Sequence, residues 1–269
     1  MVHSSPSPTL ARIPVHLTLL VPELIWPEPA DQFTLGKLSA PGLEWLLARA
    51  RLERLPRQPY ETALTGCFGL ATAPCGPLRL LGEGSNEGYD KARSGHWLCA
   101  DPVHLRFHQE RIILADAGAF ELADEEAHAI VAALNAEFAD IGQFHVANAR
   151  RWYLKLAVAV DHPVEPISAV AGRRVDSEIS GLPLARWLNE VQMFLHGLPV
   201  NEQRQDIGQP EINSLWLWGG GTLPTSTAPS FSAVFSDNPL AAGLARASDI
   251  PLHARPDNLA AVLAQGGEQ

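Results

Sequence analysis

The chain has 269 residues, 46% hydrophobic and 19% charged, with a formal net charge of -10. Its length suits one large α/β domain or two small ones, and the acidic balance excludes nonspecific nucleic-acid binding, which needs surplus Lys and Arg. No apolar run approaches the ~18 residues of a membrane span, so no membrane association is expected.

Cys67, Cys75 and Cys99 are odd in number and lack metal or redox spacing, and they read as reduced thiols of a cytoplasmic protein. Residues 1–11 are Ser- and Pro-rich and read as disordered. Val15 to Val21, bracketed by Pro14 and Pro22, reads as a strand buried on both faces. Leu43, Leu46, Leu47 and Ala50 recur at helical spacing and predict an amphipathic helix over 41–54. A short helix is expected over 60–68, and the Gly- and Pro-rich stretch 74–95 reads as a long irregular segment.

Val103, Leu105 and Phe107 alternate with His104, Arg106 and His108, the period of a half-buried strand, with Gln109 to Arg111 turning into a second strand over 112–115. Asp124, Glu125 and Glu126 start a helix with the apolar stripe Ala127, Ile130, Val131, Leu134 and Phe138. Strands follow over 144–147 and 152–158, then a loop over 161–181. Leu184, Trp187, Leu188, Val191 and Leu195 mark the next helix, and Pro199 opens a shorter one ending near Gly208. Strands are predicted over 214–218 and 233–235, and a last helix over 239–247. The alternation predicts an α/β protein with a mixed sheet and flanking helices.

Arg106, Arg150, Arg151 and Arg204 are candidates to converge on an anion, since guanidinium groups bind phosphate or carboxylate bidentately. Gly219 to Gly221 could add backbone N–H groups, while Asn201 and Asn213 either join this set or fix helix and strand ends. A metal alternative uses Asp101, His104 and His108, with Asp116 or His145 completing it. Trp216 and Trp218 read as core.

From Pro199 to Gly221 the chain reads PVNEQRQDIGQPEINSLWLWGGG. Pro199, Val200, Asn201, Arg204, Gly208, Pro210, Asn213, Gly219 and Gly221 match a pattern that resembles the archaeal-type, cofactor-independent phosphoglycerate mutases of the alkaline phosphatase superfamily. Trp218 stands where that pattern has an arginine, Leu198 where it has a His, and Arg150-Arg151 where it has His-Arg. Asp116, Ala117 and Gly118 retain part of another segment, without its arginines. In PYETALTGCFGL, Tyr60 and Glu61 occupy the places of the phosphoryl-accepting Ser and its Asp, and Pro22-Glu23 stands for a metal-binding Asp. The segments HWLCADPVHLR and NSLWLWGGG are similar to a bacterial group, the RpfE-type regulatory proteins.

The resemblance implies a shortened chain. Residues 12–95 would be a remnant of the phosphatase-like core, 96–252 a domain like the mutase insertion domain, and 253–269 a tail or short helix. It further implies a catalytically degenerate protein with a regulatory or ligand-binding role, no cofactor, and a small anionic ligand or a protein as partner. The alternatives are a phosphate-ester enzyme with a relocated site at Asp101, His104, His108 and Arg151, and a protein-interaction module.

Overall fold

The computed structural model describes residues 16–22, 39–84, 91–108, 111–175 and 184–258. By internal contact the chain falls into two units, 1–50 with 256–269, and 51–255.

In the first unit the expected strand is absent from 16–22, where Leu17, Leu19 and Val21 are exposed rather than buried. The helix predicted over 41–54 is shorter, α1 (Pro41–Leu47), and has no buried residue. Residues 1–11, read as disordered, lie outside the described residues, as do Glu23 and most of the tail expected after 252.

The second unit is built on an antiparallel sheet of β1 (His96–His108), β2 (Arg111–Asp116), β3 (Gly142–Asn148), β4 (Arg151–Leu156) and β5 (Ser214–Gly221). The sheet with its flanking helices is the α/β architecture expected from the alternation. At Val103, β1 pairs with Asp116 of β2 and Ser214 of β5, while at Cys99 it pairs with Tyr153 of β4 and Trp218 of β5. A residue has one neighbour on each side, so β2 and β4 follow one another along one edge of β1, and β5 runs along the other. β3 pairs with β4 and ends the sheet.

Alternation on these strands separates two buried faces. Leu98, Ala100, Phe144, Trp152, Leu154, Leu215 and Leu217 face α4 (Asp124–Glu137) and α6 (Ala185–His196), which contribute Ile130, Leu134, Trp187 and Val191 to one core. The first turn of α4 is secured by Glu126, whose Oε2 accepts the Ala123 amide at 2.8 Å. At the edge, the Asn135 side chain of α4 holds both backbone groups of Phe144, accepting its N–H at 2.7 Å and donating to its carbonyl at 3.0 Å.

The opposite face carries the main departure from expectation. Residues 75–82, read as irregular, form α3 (Cys75–Gly82), and Cys75 through Leu81 are all buried. α3 packs against the sheet and α8 (Pro239–Ala247). α2 (Tyr60–Cys67), α5 (Ile167–Val170), α7 (Pro199–Asp206) and the small parallel pair β6 (Val234–Phe235) and β7 (Leu252–His253) complete the described elements. β1 begins seven residues before the predicted alternation, and Phe107, expected on the covered face, is 76% exposed.

Candidate functional site

α3 is an apolar helix with one charge, Arg79, and burial is tolerable there because its guanidinium is paired and hydrogen-bonded. Arg79 Nη1 and Nη2 donate to Asp101 Oδ2 and Oδ1 at 2.9 and 2.5 Å, a bidentate pair, and Nε donates to the Tyr153 hydroxyl at 3.1 Å. Trp218 Nε1 donates to Asp101 Oδ2 at 2.7 Å. The Arg79 guanidinium carbon lies 5.0 Å from the Tyr153 ring centre and 5.2 Å from that of Trp218, within cation–π range. Burial disfavours the Arg79 cation, but Asp101 outweighs it and holds the group charged.

The network continues outward. The Tyr153 hydroxyl donates to Glu83 Oε1 at 2.5 Å, and Arg151 closes on the same carboxylate through Nε and Nη2 at 2.7 and 2.9 Å. That bidentate bond to Glu83 is the main cause raising the Arg151 pKa, with burial opposing it.

A cleft of about 240 Å³ opens over this network. Tyr60, Glu61, Arg79, Arg151, Ile167, Trp218, Asn238, Pro239 and Leu240 line it. Glu61, in the first turn of α2, is 7% exposed, and its Oε2 accepts the Ser168 hydroxyl at 2.7 Å. Burial, then the Glu61 charge, raises the Tyr60 phenol pKa. Cys75 is pushed up to about 12 by burial and Glu61, and burial raises Cys99 well above its usual range. These groups rest protonated at neutral pH. The N-terminus of α8 is closed as well: Asn238 Oδ1 accepts the amides of Leu240 and Ala241, and Pro239 has none to offer.

The residues expected to gather on an anion fall into separate settings. Arg106 is exposed and borders another hollow, about 420 Å³, beside Ile113 to Asp116 and Gly172. It lies seven residues along β1 from Cys99, the partner of Tyr153, hence roughly 23 Å along the strand. Arg150 is exposed in the β3–β4 turn, its amide bonded to Asn148 Oδ1. Arg204 is 2% exposed, with Nε on the Pro210 carbonyl, Nη1 on Glu126 and Nη2 on the Glu121 carbonyl. Arg151 alone of the four reaches the cleft.

Asn201 is fully buried, donating to the Leu195 and Ile212 carbonyls and accepting the Ile212 amide. Asn213 bonds the N–H and C=O of Leu105, extending β1 as a backbone strand would. Both take the structural alternative. Gly219 adopts φ 64°, and a Cβ there would come within 2.6 Å of the Cys75 side chain; at Gly221 it would meet Pro74. These glycines let β5 pass close under the start of α3.

The metal alternative is not assembled among the described residues. Both Asp101 oxygens are taken by Arg79 and Trp218, and Asp101 and His104, three apart on a regularly paired strand, point to opposite faces. His104 Nδ1 lies 2.9 Å from the Glu211 carbonyl, and the side chain of His108 lies outside the described residues. Among the described residues no three His, Cys, Asp or Glu side chains gather to hold an ion.

The residues missed in the sequence are Arg79, Glu83 and Tyr153. A charge inside CGPLRLLG signals a buried pair once that segment is taken as a helix.

No family model and no curated protein matches the chain. Among solved structures it is similar to the cofactor-independent phosphoglycerate mutase from Thermoplasma acidophilum DSM 1728, at 19% identity and a TM-score of 0.38 over 79% of this chain and 62% of that one. It is also similar to the PH0037 protein from Pyrococcus horikoshii, at 17% identity and a TM-score of 0.40 over 72% of this chain and 47% of that one. The chain thus spans less than two thirds of the length of either structure.

Proposed function

We propose that this chain is a catalytically degenerate, phosphoglycerate-mutase-like protein that binds a ligand at the Tyr60–Glu61 cleft without transforming it, in the regulatory role implied by its RpfE-type resemblance. One observation carries the proposal. Tyr60, Glu61, Arg151 and Trp218, four positions aligned with the mutase pattern, border one cleft, and all but Arg151 depart from the residue that pattern has there. The hydroxyl at the nucleophile's place is a phenol kept protonated by burial and Glu61. The two arginines present are already paired, Arg79 with Asp101 and Arg151 with Glu83, which weakens the positive field they offer a phosphoryl group. Cys67, Cys75 and Cys99 are free thiols, which supports a cytoplasmic location for the proposed role.

The test is turnover. Purified protein incubated with 3-phosphoglycerate, with and without Mn²⁺, should leave the substrate unchanged. Conversion of 3- to 2-phosphoglycerate that rises with enzyme concentration would overturn the proposal.

A further inference from the structure

We propose that the cleft takes a small organic cation, a primary ammonium or guanidinium compound, with Glu61 as its counter-ion; the assignment rests on the cleft being a binding rather than a catalytic site. Glu61 is more than nine-tenths buried. Among the described residues its carboxylate has one hydrogen-bond partner, Ser168 on Oε2, and no Lys or Arg forms an ion pair with it. A buried carboxylate without a cation is costly, and a cationic ligand removes that cost by supplying the missing charge.

The charges around the cleft favour the same sign of ligand. Arg79 with Asp101 and Arg151 with Glu83 cancel as two closed bidentate pairs, which leaves Glu61 as the surplus. An anion would meet two guanidiniums whose charges Asp101 and Glu83 already match. At the start of α8 the first amides are already taken by Asn238, and at the start of α2 the buried Glu61 carboxylate opposes an anion. The lining also offers aromatic surface from Tyr60 and Trp218, which attracts cations. The volume of about 240 Å³ is below that of a drug-sized site and limits the occupant to a small molecule.

Calorimetric titration at constant ionic strength tests this with n-butylammonium and agmatine as probes, and n-butanol and 3-phosphoglycerate as controls. Saturable binding of the two cations is expected, with none for n-butanol. Glu61→Gln should weaken the cations about tenfold or more, because one partner of a buried charge pair is lost. Arg150→Ala, an exposed position away from the cleft, should keep binding, and circular dichroism of both variants reports whether the fold persists. Absence of saturable cation binding, or cation binding unaffected by Glu61→Gln in a folded protein, would overturn the assignment. So would binding of 3-phosphoglycerate in place of the cations. Turnover of 3-phosphoglycerate is a separate result: it would overturn the non-catalytic role, whereas loss of cation binding without turnover removes the ligand class alone.

Discussion

Gly82 on α3 and Gly243 on α8 bring two helix backbones into direct contact. A Cβ at residue 82 would run into the Pro239 carbonyl, and one at residue 243 into the Leu78 carbonyl. No rotation of a side chain relieves such a clash, because both obstacles are main chain. Gly243→Ala should therefore destabilise the protein by about 1–3 kcal/mol, the usual range for overpacking, despite the higher helix propensity of Ala. Urea unfolding measures it, and an unchanged or raised midpoint would show that the helices can move apart freely.

Removing one member of the buried ion pair should cost more than removing both. Asp101→Asn leaves the Arg79 cation without its counter-charge, in a setting where both side chains are under a tenth exposed. A loss of about 3–5 kcal/mol is expected. The double variant Arg79→Met with Asp101→Leu should recover part of that loss. A double variant no more stable than Asp101→Asn would mean that the surrounding hydrogen bonds, not the charge balance, dominate.

Asn201 should behave as a structural residue. Asn201→Ala deprives the Leu195 and Ile212 carbonyls and the Ile212 amide of partners in a fully buried site. Each unsatisfied group costs about 1–3 kcal/mol. The variant should unfold at lower urea while any ligand affinity of its folded fraction is unchanged. A folded, stable variant with altered ligand binding would instead place Asn201 at the site.

Acid should weaken the fold through His162. It is 4% exposed, among the described residues neither ring nitrogen makes a well-formed hydrogen bond, and burial lowers its pKa, with a weak approach of the Leu217 backbone and the Asp161 charge offsetting only part. The folded chain therefore protonates at lower pH than the unfolded chain, which does so near 6.5. Below that value the unfolded state holds more protons, so stability falls with falling pH. Burial lowers His96 in the same direction. His162→Leu should reduce, though not remove, the loss of stability between neutral and mildly acidic urea titrations. Equal losses in both proteins would contradict it.

The strands and amphipathic helices were legible wherever burial follows a period. The stripe of α4 is buried at Ala127, Ile130, Val131 and Leu134, as its spacing predicts, and Leu215 and Leu217 stand opposite Trp216 and Trp218. α3 was illegible for a physical reason. Gly76, Pro77 and Gly82 read as loop formers, yet Gly82 is required by the α8 backbone, an element about 160 residues later in the chain. Arg79 became invisible with its helix, and nothing local could pair it with Asp101 rather than another carboxylate. Val15 to Val21 shows the opposite error, since apolar composition alone does not supply a sheet to join. Asn201 and Asn213 could be read either way, because an amide that bonds backbone looks in sequence like one that bonds ligand.

The side chain of Asn135 stands in for a neighbouring strand. By holding the amide and carbonyl of Phe144 it seals the middle of β3, the last strand of the sheet, against another molecule's backbone. Without that carboxamide the two groups would open toward solvent, where an extended segment of a second molecule could pair with them.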